Sequence, residues 1–348
     1  MPSDSDPVAS DPRPPRALIP VADFRHLVAV AEDALLAQLR RFSEQAIDAF
    51  APKTRQAWYH DTQVFSTWCG EHGRRALPAS PQTIADFLRD MARPVEHDGY
   101  GRATSTVARY HATLTWMHRA AGMTENPCAN TEVVLALRSI KRMRSVARSQ
   151  KDPLTWDVIA RALACGNARP RERFDAALAC VGYDAMARSE DLRHMLVDHL
   201  AFDDNGTGTA FIPRGKTDQQ GEGWVGFLSA TTVTHVRTWI AAARIHQGFL
   251  FRAVNNAGNV GRDDQVLSEA AVTRAFKRIA LRAGADPSNI AGHSARIGAC
   301  HDLTSAGFAL PQVMQAGRWR SPEMPAHYSR HITPKDGPMA ELARMQNR

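Results

Sequence analysis

The sequence predicts a mainly helical protein in two parts: a helical bundle over about 21–143, and a mainly helical second domain, about 153–333, with a small antiparallel sheet. Three observations carry this. The 348 residues amount to about two ordinary domains at roughly 150 residues each. Apolar residues recur at helical spacing through the first part. From Pro153 onward, helical segments are interrupted by alternating, strand-like ones.

Taken in order, residues 1–20 are rich in Pro, Asp and Ser with no apolar stretch, which reads as a disordered leader and not as a signal peptide. Leu27, Ala31, Leu35, Leu39 and Phe42 keep one face of a first helix; Trp58, Phe65, Trp68 and Cys69 stripe a second. In a third, Ser80 is placed as N-cap with Pro81 at the first helical position, and Ile84, Phe87, Leu88 and Met91 follow. A fourth helix, about 103–121, carries Val107, Tyr110, Leu114 and Met117, and a fifth spans about 131–143.

Between Glu132 and Asp152 no acidic residue occurs, while Arg138, Lys141, Arg142, Arg144, Arg148 and Lys151 supply cations. Residues 144–152 therefore read as a basic linker able to neutralise phosphates, the alternative being a solvated helix end with no partner. Helices follow at about 155–165 and 171–187. Strands are expected near 194–202, 209–213 and 223–228, with Asp204-Asn205-Gly206 as a turn. Further helices are expected at 230–247, at 268–283 between a Ser268 cap and Gly284, at 294–306, and near Pro311 and Ser321-Pro322. The stretch 334–348 carries Met339, Leu342 and Met345 as a short apolar stripe.

Composition narrows the function. Lys and Arg number 43 against 36 Asp and Glu, a net charge of +7 that favours polyanionic partners. Only six of those cations are lysine, and arginine's fork of donors suits phosphate, although GC-rich coding would raise arginine without any binding role. The five cysteines are scattered and form no C-x-x-C pair, which supports neither a disulfide framework nor a zinc knuckle and fits a reducing cytosol. No apolar run approaches the roughly 20 residues of a membrane span. Gly215-Lys216-Thr217 mimics the end of a phosphate-binding P-loop, but Ala210 occupies the position of its first glycine.

The last third contains His293-Ser294-Ala295-Arg296, then Gly317-Arg318-Trp319, then His327-Tyr328-Ser329-Arg330. A His-x-x-Arg match means little alone, since His72/Arg75 and His327/Arg330 give it too. The ordered set is more specific: Arg188 with Asp191 one helical turn on, Lys216 after a strand, His293 and Arg296, Trp319, and Tyr328 nine residues further. Taken singly, Arg188 reads equally as a surface helix arginine, Lys216 as a hairpin lysine, and Trp319 and Tyr328 as core aromatics.

As a set these residues resemble the tyrosine site-specific recombinases, the phage integrase family. The likeness is strong over about 288–330, where Gly292 to Ala299, Ala306-Gly307, Met314 to Gly317 and Trp319 to Tyr328 carry it, and extends weakly to Phe65-x-x-Trp68-Cys69. The family usually has His where this chain has Trp319, so the resemblance is to its Trp-bearing variant.

That resemblance implies a SAM-like N-terminal core-binding domain and a catalytic domain closing as a C-shaped clamp around DNA. It implies Tyr328 as nucleophile, forming a 3′-phosphotyrosine and freeing a 5′-hydroxyl. Arg188 and Arg296 would clamp the non-bridging phosphate oxygens, with His293 and the Trp319 N–H as further donors. Lys216 would protonate the leaving oxygen and Asp191 would orient Arg188 and His293. A cation-rich site should ease loss of the phenolic proton from its unperturbed pKa of about 10. DNA contacts are expected from Arg102, Ser105, Arg109 and His111 on the fourth helix, from Lys141, Arg142 and Arg144, and from Glu269, Thr273, Arg274 and Lys277 on the helix 268–283; Ala270 stands where a guanine-reading arginine is expected.

The implied partner is double-stranded DNA with inverted-repeat half-sites, bound by a dimer on one site and a homotetramer on two, with the helix in 334–348 docking on a neighbouring protomer. Neither a metal nor another cofactor is expected, because the phosphotyrosine ester retains the bond energy. A cytoplasmic, nucleoid-associated protein encoded by a bacterium, phage or plasmid follows. The alternatives are a type IB topoisomerase, relaxing supercoils with a similar site, and a non-catalytic DNA-binding relative.

Overall fold

The computed structural model describes residues 24–46, 48–143, 150–213, 223–328 and 337–348. The expected leader, Arg144 with most of the basic linker, and Lys216 lie outside the described residues. By its internal contacts the chain divides into two compact units, Met1–Arg148 and Ser149–Arg348.

Among the described residues the first unit contains five α-helices: α1 (Asp33–Gln45), α2 (Pro52–Glu71), α3 (Pro81–Ala92), α4 (Thr104–Ala120) and α5 (Thr131–Met143). The cap of α3 forms as its sequence dictates: Ser80 Oγ accepts the Thr83 N–H at 3.1 Å, Pro81 opens the helix, and Ile84, Phe87, Leu88 and Met91 are all fully buried. These pack with Phe65, Trp68, Cys69, Val107, Tyr110, Leu114 and Met117 into one core.

The first expected helix is shorter than its stripe. Phe24 is left-handed (φ 50°) and opens a 3-10 turn, Arg25–Leu27. Ala31 then pairs with Leu77 in an isolated bridge, with Glu32 N–H on Leu77 O at 2.7 Å and Ala76 N–H on Val30 O at 2.7 Å. Those backbone bonds replace the helical ones, so α1 begins only at Asp33; Leu36 and Leu39 are buried, and Leu35 packs half-buried at the edge of the core.

The second unit opens with α6 (Trp156–Ala164), α7 (Pro170–Asp184) and α8 (Ser189–Arg193). Three antiparallel strands follow, β1 (Leu200–Phe202), β2 (Gly208–Ile212) and β3 (Trp224–Leu228), paired with Leu200 opposite Ala210 and Ile212 opposite Trp224. Helices α9 (Ala230–Ala243), α10 (Glu269–Arg282), α11 (Ser294–Ser305), α12 (Leu310–Gly317), α13 (Glu323–Tyr328) and α14 (Pro338–Met345) complete it. Its core joins Phe174, Trp239, Phe251, Phe276 and Ile279.

Three expected boundaries move. The strand expected from 194 is short because Met195 and Val197 bond Leu250 and Gly248 instead, leaving Leu200–Phe202 to the sheet. The helix 171–187 stops at Asp184, with Met186 left-handed (φ 44°) just beyond, and a left-handed Arg244 (φ 51°) stops α9 at Ala243. Gly298 is required where α11 crosses the entry to α6: a Cβ there would stand 2.0 Å from Leu154 O. Among the described residues no helix is long and apolar enough to cross a membrane.

Candidate active site

The break between α7 and α8 makes the site possible. It places Arg188 immediately before α8, where its N–H donates to Asp191 Oδ2 at 2.9 Å and its Nη1 stands 4.0 Å from the same oxygen. Asp191, at the third position of a short helix, is a natural acceptor for that N–H and complements the helix N-terminus.

Opposite, His293 precedes α11 and Arg296 sits one turn inside it. Arg296 is 3% exposed and donates Nη1 to Met186 O and Nη2 to Gly317 O, strapping the bend after α7 to the end of α12. Its guanidinium lies over the Trp319 ring, 4.5 Å from the centroid. A Cβ on Gly317 would come within 2.0 Å of Trp319 Cζ3, so only glycine lets the indole lie there.

Tyr328 ends α13. It is 8% exposed, sits edge-on to Trp319 with ring centroids 5.8 Å apart, and packs with Met186, Ile297, Cys300 and Val313. Its backbone carbonyl accepts Gln150 Nε2 at 3.2 Å, and Asn289 holds the neighbouring chain through Gln150 O and Asp152 Oδ1.

The electrostatics are those of a buried site in which several guanidinium groups crowd one carboxylate, Asp191. Burial, then Arg188 and Arg318, presses the Arg296 guanidinium down to about 9. His293 keeps an exposed edge, yet desolvation of the rest of the ring, then Arg296 and Arg188, holds its pKa below the ordinary histidine value. For Tyr328 the outcome differs from the expected easing: burial raises its pKa by more than Arg296 and Arg188 lower it. In this state the phenol is protonated, and a further change, such as arrival of the substrate phosphate, must assist its ionisation.

The structure thus brings Arg188, Asp191, His293, Arg296, Trp319 and Tyr328 into one cluster within the second unit. Asp191 hydrogen-bonds Arg188 and Arg318, however, and not His293. Among the expected DNA contacts, Arg102 and Ser105 are exposed at the start of α4, and Lys141 and Arg142 at the end of α5. Arg109 is engaged with the buried Asp61, which Thr113 also holds at 2.9 Å, and His111 reaches Cys128 O at 3.1 Å. On α10, Glu269 and Arg274 are exposed, Thr273 is half-buried, and Lys277 Nζ donates to Ser288 O at 3.3 Å.

Residues 153–334 match the model of the phage integrase family. The chain belongs to that family, the tyrosine recombinases. It is 27% identical over 290 residues to an integrase/recombinase XerD homolog of Selenomonas ruminantium, covering 80% of this chain and 81% of that one. It is 25% identical over 310 residues to recombinase Cre of Escherichia phage P1, covering 84% and 88%. Among solved structures, the Tn1549 transposon integrase in complex with transposon right end DNA aligns with TM-score 0.60 at 12% identity, covering 89% of this chain and 99% of that one. XerH bound to a palindromic difH substrate in a post-cleavage complex aligns with TM-score 0.58 at 12% identity, covering 94% of each.

Sequence reasoning missed three participants. Gly317 and Arg318 stood beside Trp319 in the motif, but their roles depend on contacts with Trp319 and Asp191 that spacing does not reveal. Gln150 gave no signal, since its partner is a backbone carbonyl 178 residues away.

Proposed function

We propose that this tyrosine recombinase cuts DNA through Tyr328. The phenolic oxygen attacks the phosphorus, the P–O5′ bond breaks, and the strand is held as a 3′-phosphotyrosine while a 5′-hydroxyl departs. Arg188 and Arg296 take the charge that grows on the non-bridging oxygens, which is the largest contribution such a site makes. Trp319 adds an N–H donor and platforms Arg296. His293, neutral near pH 7 because its pKa is lowered, offers a nitrogen to take the phenolic proton. Lys216 is the proposed donor to the leaving 5′-oxygen.

The observation that carries the reading is the placement of Tyr328 against Trp319 and within the field of Arg296 and Arg188. Among the described residues no carboxylate hydrogen-bonds Arg296; its hydrogen bonds run to two carbonyls, so a phosphodiester is the counterion it suits.

Around this chemistry we place recombination at inverted-repeat half-sites, a dimer on one site, a homotetramer on two, and strand exchange through a Holliday junction. The arrangement of sites decides among excision, inversion and integration. Arg102, Ser105, Lys141 and Arg142 on the first unit and Thr273, Arg274 and Lys277 on the second are the proposed DNA contacts, in a nucleoid-associated protein. A Tyr328→Phe protein is expected to bind duplex DNA with the affinity of the parent and to form no covalent adduct. An adduct that persists in Tyr328→Phe would overturn the assignment.

A further inference from the structure

The cluster contains a third guanidinium, and its partners are unusual. Arg318 ends α12 in the left-handed region (φ 55°), where a Cβ is disfavoured and glycine is the ordinary occupant. Backbone strain of this kind persists where the surroundings hold it, commonly beside functional groups. The side chain is 14% exposed, stands 5.6 Å over the Trp224 ring, and donates Nη2 to Asp191 Oδ2 at 2.9 Å. Burying a third cation next to Arg188 and Arg296 has a cost, and burial together with Arg188 lowers the Arg318 pKa.

The carboxylate it meets is shared. Asp191 Oδ2 takes the Arg188 N–H at 2.9 Å and the Arg318 Nη2 at 2.9 Å, whereas Arg188 Nη1 remains at 4.0 Å. Arg318 therefore holds the near ion pair and Arg188 the distant one. Three buried side-chain donors of the second unit find no partner among the described residues: Arg318 Nε, Trp224 Nε1 and Ser189 Oγ. The first belongs to the side chain that holds this carboxylate, Trp224 lies under Arg318, and Ser189 follows Arg188 in sequence.

We propose that Arg318 is a positioning residue for strand cleavage: it neutralises Asp191, so that the carboxylate fixes the Arg188 backbone without capturing the Arg188 guanidinium, which stays free to bind phosphate. Without Arg318, Arg188 would close onto Asp191, and the phosphate would meet an ion pair in place of a cation. The inference rests on Tyr328 as nucleophile and on Arg188 as a phosphate ligand, and it adds the element that keeps Arg188 available.

The test is a double-mutant cycle read by single-turnover formation of the covalent adduct, on a nicked duplex built from half-sites recovered by sequencing DNA trapped on the wild-type protein. Arg318→Gly suits the left-handed backbone, so the fold is retained. It is expected to bind the duplex normally and to form adduct about 10- to 100-fold more slowly, the size of loss that follows when a partner orienting a functional side chain is removed from a metal site. In an Asp191→Asn background the same change should have little effect, because no carboxylate remains to capture Arg188. Arg318→Lys, which keeps the charge, should recover part of the rate. An Arg318→Gly protein as fast as wild type would refute the inference, as would an equal loss in the Asp191→Asn background, which would place Arg318 on the phosphate itself. If the wild-type protein itself forms no adduct, the failure belongs to the Tyr328 reading and is separable from these outcomes.

Discussion

Gly317 shows how much of the site turns on single atoms. A methyl group there would collide with the Trp319 ring, and the same residue offers Arg296 its carbonyl. Gly317→Ala is expected to displace the indole and to lower the rate of adduct formation at least about tenfold with DNA affinity unchanged, since misplacement of about 1 Å costs that much or more; parallel cleavage and mobility-shift assays check it. A structural counterpart lies in the core, where Arg278 grips Asp175 with Nε at 2.7 Å and Nη2 at 2.6 Å. Burial raises the Asp175 pKa against that grip, so Arg278→Ala would strand a buried carboxylate and cost about 3 kcal/mol in urea unfolding. At this scale the sequence was informative where spacing within one segment fixes a pair, as in His293 and Arg296 at the start of α11. It was silent on Arg318, Gly317 and Gln150, whose partners come from distant segments.

At the scale of elements, helices with local punctuation were legible. Ser80-Pro81 starts α3, Ser268 caps α10 through the Ala271 N–H at 3.2 Å, and four apolar residues at helical spacing fill one face of α4. Boundaries set by tertiary pairing were not. The stripe from Leu27 to Phe42 is continuous in sequence, but the Ala31–Leu77 bridge divides it, and the contact of 195–197 with 248–250 shortens β1. The same holds for the left-handed Met186 and Arg244, which nothing local marks as helix ends. Helix α14 presents exposed Met339, Leu342 and Met345. As a proposed link to a neighbouring protomer, its deletion (337–348) should reduce synapsis of two sites and recombination far more than binding to one site. Equal losses in gel-shift and recombination assays would contradict that role.

For the whole molecule, histidines partly or wholly withdrawn from water set how stability responds to acid, the fully buried His118 foremost. His118 is fully buried, with Nε2 accepting the Ala79 N–H at 3.1 Å and Nδ1 donating to Leu114 O at 2.8 Å, and burial lowers its pKa. His199, His235 and His293 are lowered as well. The unfolded chain binds protons below about pH 6.5 while the native chain does not, so stability is full above that value and falls as the pH drops through it. Asp61 and Asp175 have raised pKa values and act with opposite sign, each held back by an arginine partner, Arg109 and Arg278. The urea midpoint should therefore fall between about pH 7.5 and about pH 5.5, and a midpoint constant across that interval would contradict the account.

The central claim concerns one hydroxyl in a cluster of guanidinium groups, and it is tested most directly by mapping the adduct. DNA carrying the recovered half-sites would be trapped on the wild-type protein, the complex digested, and the nucleotide-bearing peptide sequenced by mass spectrometry. The account predicts a single phosphotyrosyl linkage, at Tyr328. A linkage at Tyr59, Tyr100, Tyr110 or Tyr183, or at a serine, would contradict it.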